Sequence, residues 1–548
     1  MPKSTFFAVF ACALLTGLGR EGAAQTRQHP KLIVEIVVSG MRYDYLDHFS
    51  ANFQERGFRT FIQHGVNCTN ARYNYMGNNT PAGLSTLVSG ANPSTHGIVA
   101  QRWIDFTTNL PVEAGEDLNY YGVGGTELFG QHAPTRITVS TIGDEIKRKS
   151  AQSRVISLAL DPTSAILAGG TAADAAYWFD TDRGRWGTST YYFNRLPAWV
   201  EGYNNAGAAN AYNQRVWTMS LAPDKYRYDE GGQAITTPSR RSGIAATIGF
   251  SLESLFRRQP EKSNYAGLRL MPIGTEMLME FARQTILAEN LGKDEHPDLL
   301  VITIDPTRHI AEAYGPESAE IEDAYYRLDR DLQETIDLVE STVGKENAVF
   351  VLTADHGTSD TRRAENRQPV GRFNVMQFKV LMNGFLNTQY GAAEWVTDYR
   401  NRNLYLNHRL VFEQGLNLTE MQEKTAAFAL QLRGVAQAMT GSSLQNNYFG
   451  GGSMEKIQNG FYPKHSGDVV VNLLPGWIED DDRTSATGSI YEYDAHVPLM
   501  WYGGGLRAGE VHRPVDMTDV APTMARLIGV NRPDAATGNE ITEVVSGW

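Results

Sequence analysis

The feature that most constrains this chain is a set of short β-branched runs, each ending in a turn and separated by long stretches. They fall at 32–38 (LIVEIVV), 155–160, 299–304, 349–353 and 497–502. Runs this short and this apolar are what strands buried on both faces require. Between the third and fourth, Ile321, Tyr325, Leu328, Leu332, Ile336 and Val339 recur at intervals of three and four, which predicts a helix over 319–342. A strand, helix, strand crossover makes its two strands parallel. The expected fold class is therefore α/β, with a mostly parallel central sheet and helices on both faces. Ligands in such sheets bind beyond the carboxyl ends of the strands, so chemistry is sought there.

A length of 548 residues exceeds one small core. Two stretches break the alternation: about 175–290, rich in Tyr, Asn, Gly and Arg, and about 360–485. Both read as cap segments inserted over the strand ends. Residues 1–25 carry Lys3, an apolar run from Phe6 to Leu18 and small residues before Gln25, the pattern of a secretory signal peptide. The run falls short of the ~20 residues that span a bilayer, and no later segment is long and apolar enough, so a periplasmic or secreted protein of residues 26–548 is expected. After cleavage Cys68 is the one remaining cysteine, and an internal disulfide is excluded. A net charge of −13 leaves no basic stripe to neutralise phosphates, which argues against nucleic acid.

Seven segments carry a resemblance: VVSGMRYDYL (37–46), NNTPAGLSTLVSGANPSTHGI (78–98), AYGPES (313–318), LTADHG (352–357), SGDVVVNLLPGW (466–477), YDAHVPLMWYG (493–503) and DVAPTMARLIG (519–529). In this order, over nearly the whole mature chain, they resemble the alkaline phosphatase superfamily. The closest likeness is to periplasmic bacterial members with a threonine nucleophile, similar to type I phosphodiesterases and nucleotide pyrophosphatases. The resemblance implies an alkaline-phosphatase-like fold and phosphoryl or sulfuryl transfer at two zinc ions, which activate a Thr or Ser and clamp the ester oxygens.

The residues can be carried over one by one. Thr80, in T-P-A-G, stands at the nucleophile position, at a helix start whose free N–H groups suit an anion; helix capping alone would also account for it. Asp355 and His356 match two of the six metal ligands, although a buried Asp is equally well held by backbone donors. The other four positions hold Ser39, Arg308, Glu312 and Thr487, and an arginine cannot ligate a cation. Gln101 replaces the asparagine that contacts substrate. Asp161 and Thr163 stand where a Lys and an Arg would clamp the phosphoryl oxygens, and an acid there repels a dianion. Asp494 and His496 match supporting positions at the sheet end. One alternative stays open: Asp305 and His309 also form Asp-x-x-x-His, three residues upstream, and a slipped loop could bring them to a metal. The unshifted alignment needs no gap and is preferred.

Four of the six ligands being replaced, the expected cofactor is no zinc or at most one. The expected function is a catalytically impaired phosphate-ester hydrolase with a binding or scaffold role toward a phosphorylated small molecule, a glycan or an envelope protein. Two alternatives remain, an active enzyme using Thr80 with a relocated or single metal, and a structural component of an envelope assembly. Arg308, one helical turn before Glu312, is expected to pair with Glu312 or Asp355 in place of a metal.

Overall fold

The computed structural model describes residues 28–227, 265–360, 371–479 and 485–546; the expected signal peptide lies outside them. The strand Leu32–Val38 is buried along its whole length, as its apolar sequence requires. It pairs in parallel with Asp298–Ile304 on one side and Ala348–Thr353 on the other. Beyond Asp298–Ile304 the sheet continues in parallel through Val155–Leu158 and Ala175–Asp180, then antiparallel through Arg185–Ser189 to Gly122–Val123. Beyond Ala348–Thr353 come the antiparallel Leu499–Gly503, then Val66–Cys68 and Gly509–Val511. The result is a ten-stranded, mostly parallel sheet.

The expected crossover is present as the helix Ala319–Thr342, where the Ser318 side chain accepts from Ile321 N–H at the start. Its apolar stripe is buried in the main core, and the helix Pro272–Ala288 lies alongside, with Arg283 to Asp331 at 3.4 Å. No described helix is long and apolar enough to cross a membrane.

The segment beginning at 175 opens with two strands of the main sheet rather than with a cap. AYWFD and RWGTS bury Tyr177, Trp178, Phe179 and Trp186 in the main core. Only then does the chain leave the sheet, returning as a strap whose Trp217 Nε1 donates to Asp323 Oδ2 at 2.7 Å. Residues 371–479 build a lobe around a separate four-stranded antiparallel sheet, ordered Val396–Arg400, Asn403–Leu406, Val469–Leu473, Val435–Thr440, with its own apolar cluster around Phe373, Phe378 and Leu404. The lobe grips the loop after Ile98: His465 stacks on Trp103 at 4.3 Å and bonds Gly97 O at 2.6 Å, and His408 stacks on Phe106 at 4.2 Å.

Candidate active site

The strand Leu32–Val38 ends in Ser39 and Gly40, and the latter has φ +75, a conformation that suits glycine. This turn aims two donors at one carboxylate. Gly40 N–H reaches Asp355 Oδ1 at 3.0 Å and Ser39 Oγ reaches Asp355 Oδ2 at 2.7 Å. Thr80 opens the helix Thr80–Ser89, but the cap is Asn79, whose side chain accepts from Ala82 N–H at 3.2 Å. The Thr80 hydroxyl is thereby released from capping. The helix is pinned to the Asp355 strand end at Gly83, where a Cβ would lie 1.9 Å from Asp355 O.

Thr80 Oγ1 lies 3.1 Å from Ser39 Oγ and 3.2 Å from His356 Nε2. On the far side of the ring His356 Nδ1 is 2.6 Å from Gly357 O. A carbonyl only accepts, so Nδ1 carries the proton and Nε2 is left to accept from Thr80. Asp355 and His356 are fully buried and their Oδ1 and Nε2 are 3.6 Å apart. Ser39 Oγ donates its hydrogen to Asp355, so the single Thr80 hydroxyl hydrogen serves either His356 Nε2 or Ser39 Oγ, and the structure gathers Ser39, Thr80, Asp355 and His356 into one chain of close polar contacts.

Arg308 and Glu312 follow on the helix Pro306–Tyr314. Arg308 packs beside the turn, its Cα 3.5 Å from where a Cβ on Gly40 would stand. Its Nη1 is 3.5 Å from Glu312 Oε1, and its Nη2 donates to His309 Nε2 at 3.3 Å. Burial alone would lower the Arg308 pKa, but the surrounding carboxylates, Glu312 first, then Asp305, Asp161 and Asp355, hold it above the usual arginine value. The expected pairing is thus with Glu312, and the Asp355 charge is felt at longer range.

Asp305 and His309 do not converge. Asp305 Oδ2 accepts from the N–H groups of Leu160 and Asp161 at 3.0 and 3.1 Å, and Oδ1 accepts from Ser164 Oγ at 2.6 Å. Burial, helped by the neighbouring Asp161, pushes its carboxyl up to about 7. His309 Nδ1 faces Glu312 Oε2 at 3.5 Å, and burial beside Arg308 lowers its pKa.

Asp161, expected at a clamp position, caps the helix Pro162–Gly169, accepting from Thr163 N–H at 2.9 Å and Ser164 N–H at 3.3 Å. A side-chain carboxylate thus occupies the helix start. Thr163 Oγ1 receives Gln101 Nε2 at 3.0 Å. Thr487 is half-buried just after Ser485–Ala486, a strand paired with Ser359–Asp360. Asp494 supports from behind: its carbonyl accepts from Asn78 Nδ2 at 2.6 Å and Gly357 N–H at 2.8 Å, and its Oδ2 accepts from Ser489 N–H at 2.8 Å. Burial pushes its carboxyl up to about 6. His496 stacks on Tyr43 at 4.6 Å and donates to Thr69 O at 3.0 Å.

The sequence that builds this site is matched by a family model for type I phosphodiesterase / nucleotide pyrophosphatase over residues 33–489. The chain belongs to that family. Within the wider alkaline phosphatase superfamily it is similar to alkaline phosphatase PafA of Elizabethkingia meningoseptica, at 28% identity covering 99% of both chains. It is also similar to alkaline phosphatase PhoV of Synechococcus elongatus, at 29% identity over 95% of this chain and 94% of that one. The crystal structure of PafA superposes with a TM-score of 0.86 over 94% of this chain and 99% of PafA.

Several structural roles around this site were not read from the sequence: the helix caps at Asn79 and Asp161, the hydrogen bond from Ser164 and the close approach at Gly83. Asn79 was signalled by its place before T-P-A-G, since Asn then Pro near a helix start is a cap pattern. Asp161 before Pro162 carries the same signal. Ser164 and Gly83 carry none, because their roles depend on which strand end they meet.

Proposed function

We propose that this is an exported alkaline-phosphatase-fold protein in which the two-zinc phosphate-ester hydrolase site has become a metal-independent polar network, and whose cleft serves binding rather than hydrolysis. The observation that carries this is the Ser39 Oγ to Asp355 Oδ2 hydrogen bond at 2.7 Å with Gly40 N–H at 3.0 Å on the other oxygen. Each Asp355 oxygen already accepts from one protein donor, so the carboxylate is stabilised by the chain itself. The donor set also fails to fit a zinc pair, since zinc requires carboxylates, imidazoles or thiolates. Of the six positions carried over, one holds a guanidinium, two hold hydroxyls, and Glu312 faces Arg308 and His309. Among the described residues no group of three or more His, Cys, Asp and Glu side chains converges. No step through zinc is therefore derived.

The Thr80 to His356 contact favours a second reading, a surviving hydrolase using Thr80 with a single metal on Asp355 and His356. Turnover of p-nitrophenyl phosphate and bis-p-nitrophenyl phosphate, with and without added zinc, separates the two. The first reading expects no zinc-stimulated rate and none lost on Thr80→Ala; zinc-stimulated turnover that Thr80→Ala abolishes would overturn it.

A further inference from the structure

The helix Val375–Tyr390 enters the lobe with the Asn374 side chain accepting from Gln377 N–H at 2.7 Å. Its 16 residues, VMQFKVLMNGFLNTQY, hold one charged side chain, Lys379. Phe378, Met382 and Leu386 recur every four residues and are buried in the lobe. Met376, Val380 and Gly384 recur at the same interval, two residues out of step. Two residues turn about 200° around a helix, so this second stripe runs along the opposite side and faces out. Met376 is 69% exposed and Val380 63%, with Leu381 beside them at 39%. Lys379 does not break the stripe, because its Nζ is taken by Asp398 Oδ1 at 2.7 Å on the strand Val396–Arg400. A helix apolar on two opposite sides is ordinarily covered on both, and contiguous exposed apolar side chains mark a contact site.

Shape and charge say what covers this side. Val380 projects as a ridge, and Gly384, one turn on, leaves a notch where a Cβ would meet nothing within 4 Å. A two-fold axis passing between these positions sets each Val380 of a helix pair over the Gly384 of the other, the self-match that a two-fold interface requires. Ridges at four-residue spacing interdigitate in this way where two helices cross, and a glycine at the crossing lets the backbones approach closely. The net charge of −13 makes two copies of the chain repel each other across an acidic surface. A stripe without charge is the kind of place where that repulsion is weakest, and it offers a basic partner nothing to pair with.

We propose that the Met376, Val380 and Gly384 face docks a second copy of this chain, giving a two-fold dimer joined helix to helix through the lobes. The proposal does not rest on the reading of the cleft, and zinc content and turnover do not bear on it.

Sedimentation velocity over a dilution series of the wild type, Val380→Asp and Gly384→Gln tests it. Valine and aspartate differ little in helix propensity, and glutamine forms helix better than glycine, so both variants are expected to keep the wild-type circular dichroism spectrum. The wild type is expected to form a dimer at micromolar concentration. Val380→Asp places a charge in the contact and Gly384→Gln fills the notch, and each is expected to raise the dimer dissociation constant at least tenfold. A wild type that stays monomeric at the highest concentration reached would overturn the proposal. A dimer that either variant leaves unchanged would place the contact on another face and overturn it as well. Monomeric wild type that floats with phosphatidylethanolamine and phosphatidylglycerol vesicles, and ceases to do so in Val380→Asp, would assign the stripe to a lipid surface and contradict the second copy.

Discussion

The two walls of the strand-end site hold their charges in different ways. On one wall Thr80, Asp355 and His356 remain at the positions the resemblance assigns, and Ser39 completes their hydrogen bonds. On the other wall are Arg308, Glu312, Asp161 and Thr163, which the sequence resemblance alone sets at ligand and phosphate-clamp positions, and Arg308 and Asp161 carry charges opposite to those expected there. Each wall nonetheless supplies donors to its own carboxylates, the first through Ser39 and Gly40, the second through helix-start N–H groups, Ser164 and Arg308, although Arg308 Nε itself is buried without a partner. The lesson is that the buried carboxylates of the two walls are held by neighbouring protein donors and, at Glu312, by one guanidinium.

This contrast can be broken first at Gly83, where the Thr80 helix meets the Asp355 strand end. A Cβ 1.9 Å from Asp355 O forces the helix away, so Gly83→Ala is expected to destabilise the protein by about 3 kcal/mol, the upper end of what overpacking costs. Urea unfolding checks it.

Beneath the first wall, Glu35 sits in the middle of Leu32–Val38, fully buried with neither carboxylate oxygen hydrogen-bonded. Burial pushes its carboxyl up to about 8. The folded pKa is above the unfolded one, so this group favours folding below pH 4.5 and loses that advantage as pH rises to about 8. The loss is on the order of 4 kcal/mol. Unfolding free energy measured from pH 5 to 8.5 should fall with pH in the wild type, and Glu35→Gln should flatten the slope.

Asp355→Ala leaves Ser39 Oγ and Gly40 N–H without their acceptor, and a loss of about 2 to 3 kcal/mol is expected. The loss should be the same with and without a chelator, since no metal is being removed. Arg308→Ala, on the second wall, should cost about 1 kcal/mol, because its contact with Glu312 is long and the side chain is 23% exposed. Thermal melts of both variants order the two walls by energy.

Much of the framework was legible in the sequence because strands buried on both faces leave a strong signal. The run 32–38 and the helix 319–342 match the structure at both ends, and the segment at 497–502 is seen as Leu499–Gly503. That last strand runs antiparallel, which its composition does not encode. The strands Ala175–Asp180 and Arg185–Ser189 were hidden because bulky aromatics and polar residues replace the β-branched run, although Tyr and Trp suit a strand as well. At the site, the identity of each replaced residue could be read by position. What each replacement bonds to could not, because Asp305 meets Leu160 and Ser164, and Ser39 meets Asp355, across hundreds of residues.

The central claim is that this cleft is balanced by protein donors and not by zinc. The most direct measurement is elemental analysis of zinc per chain, on protein purified without chelators, incubated with excess zinc and then desalted. The account predicts no stoichiometric zinc with the fold intact by circular dichroism. Two zinc ions per chain would contradict it, and one would favour the single-metal reading on Asp355 and His356.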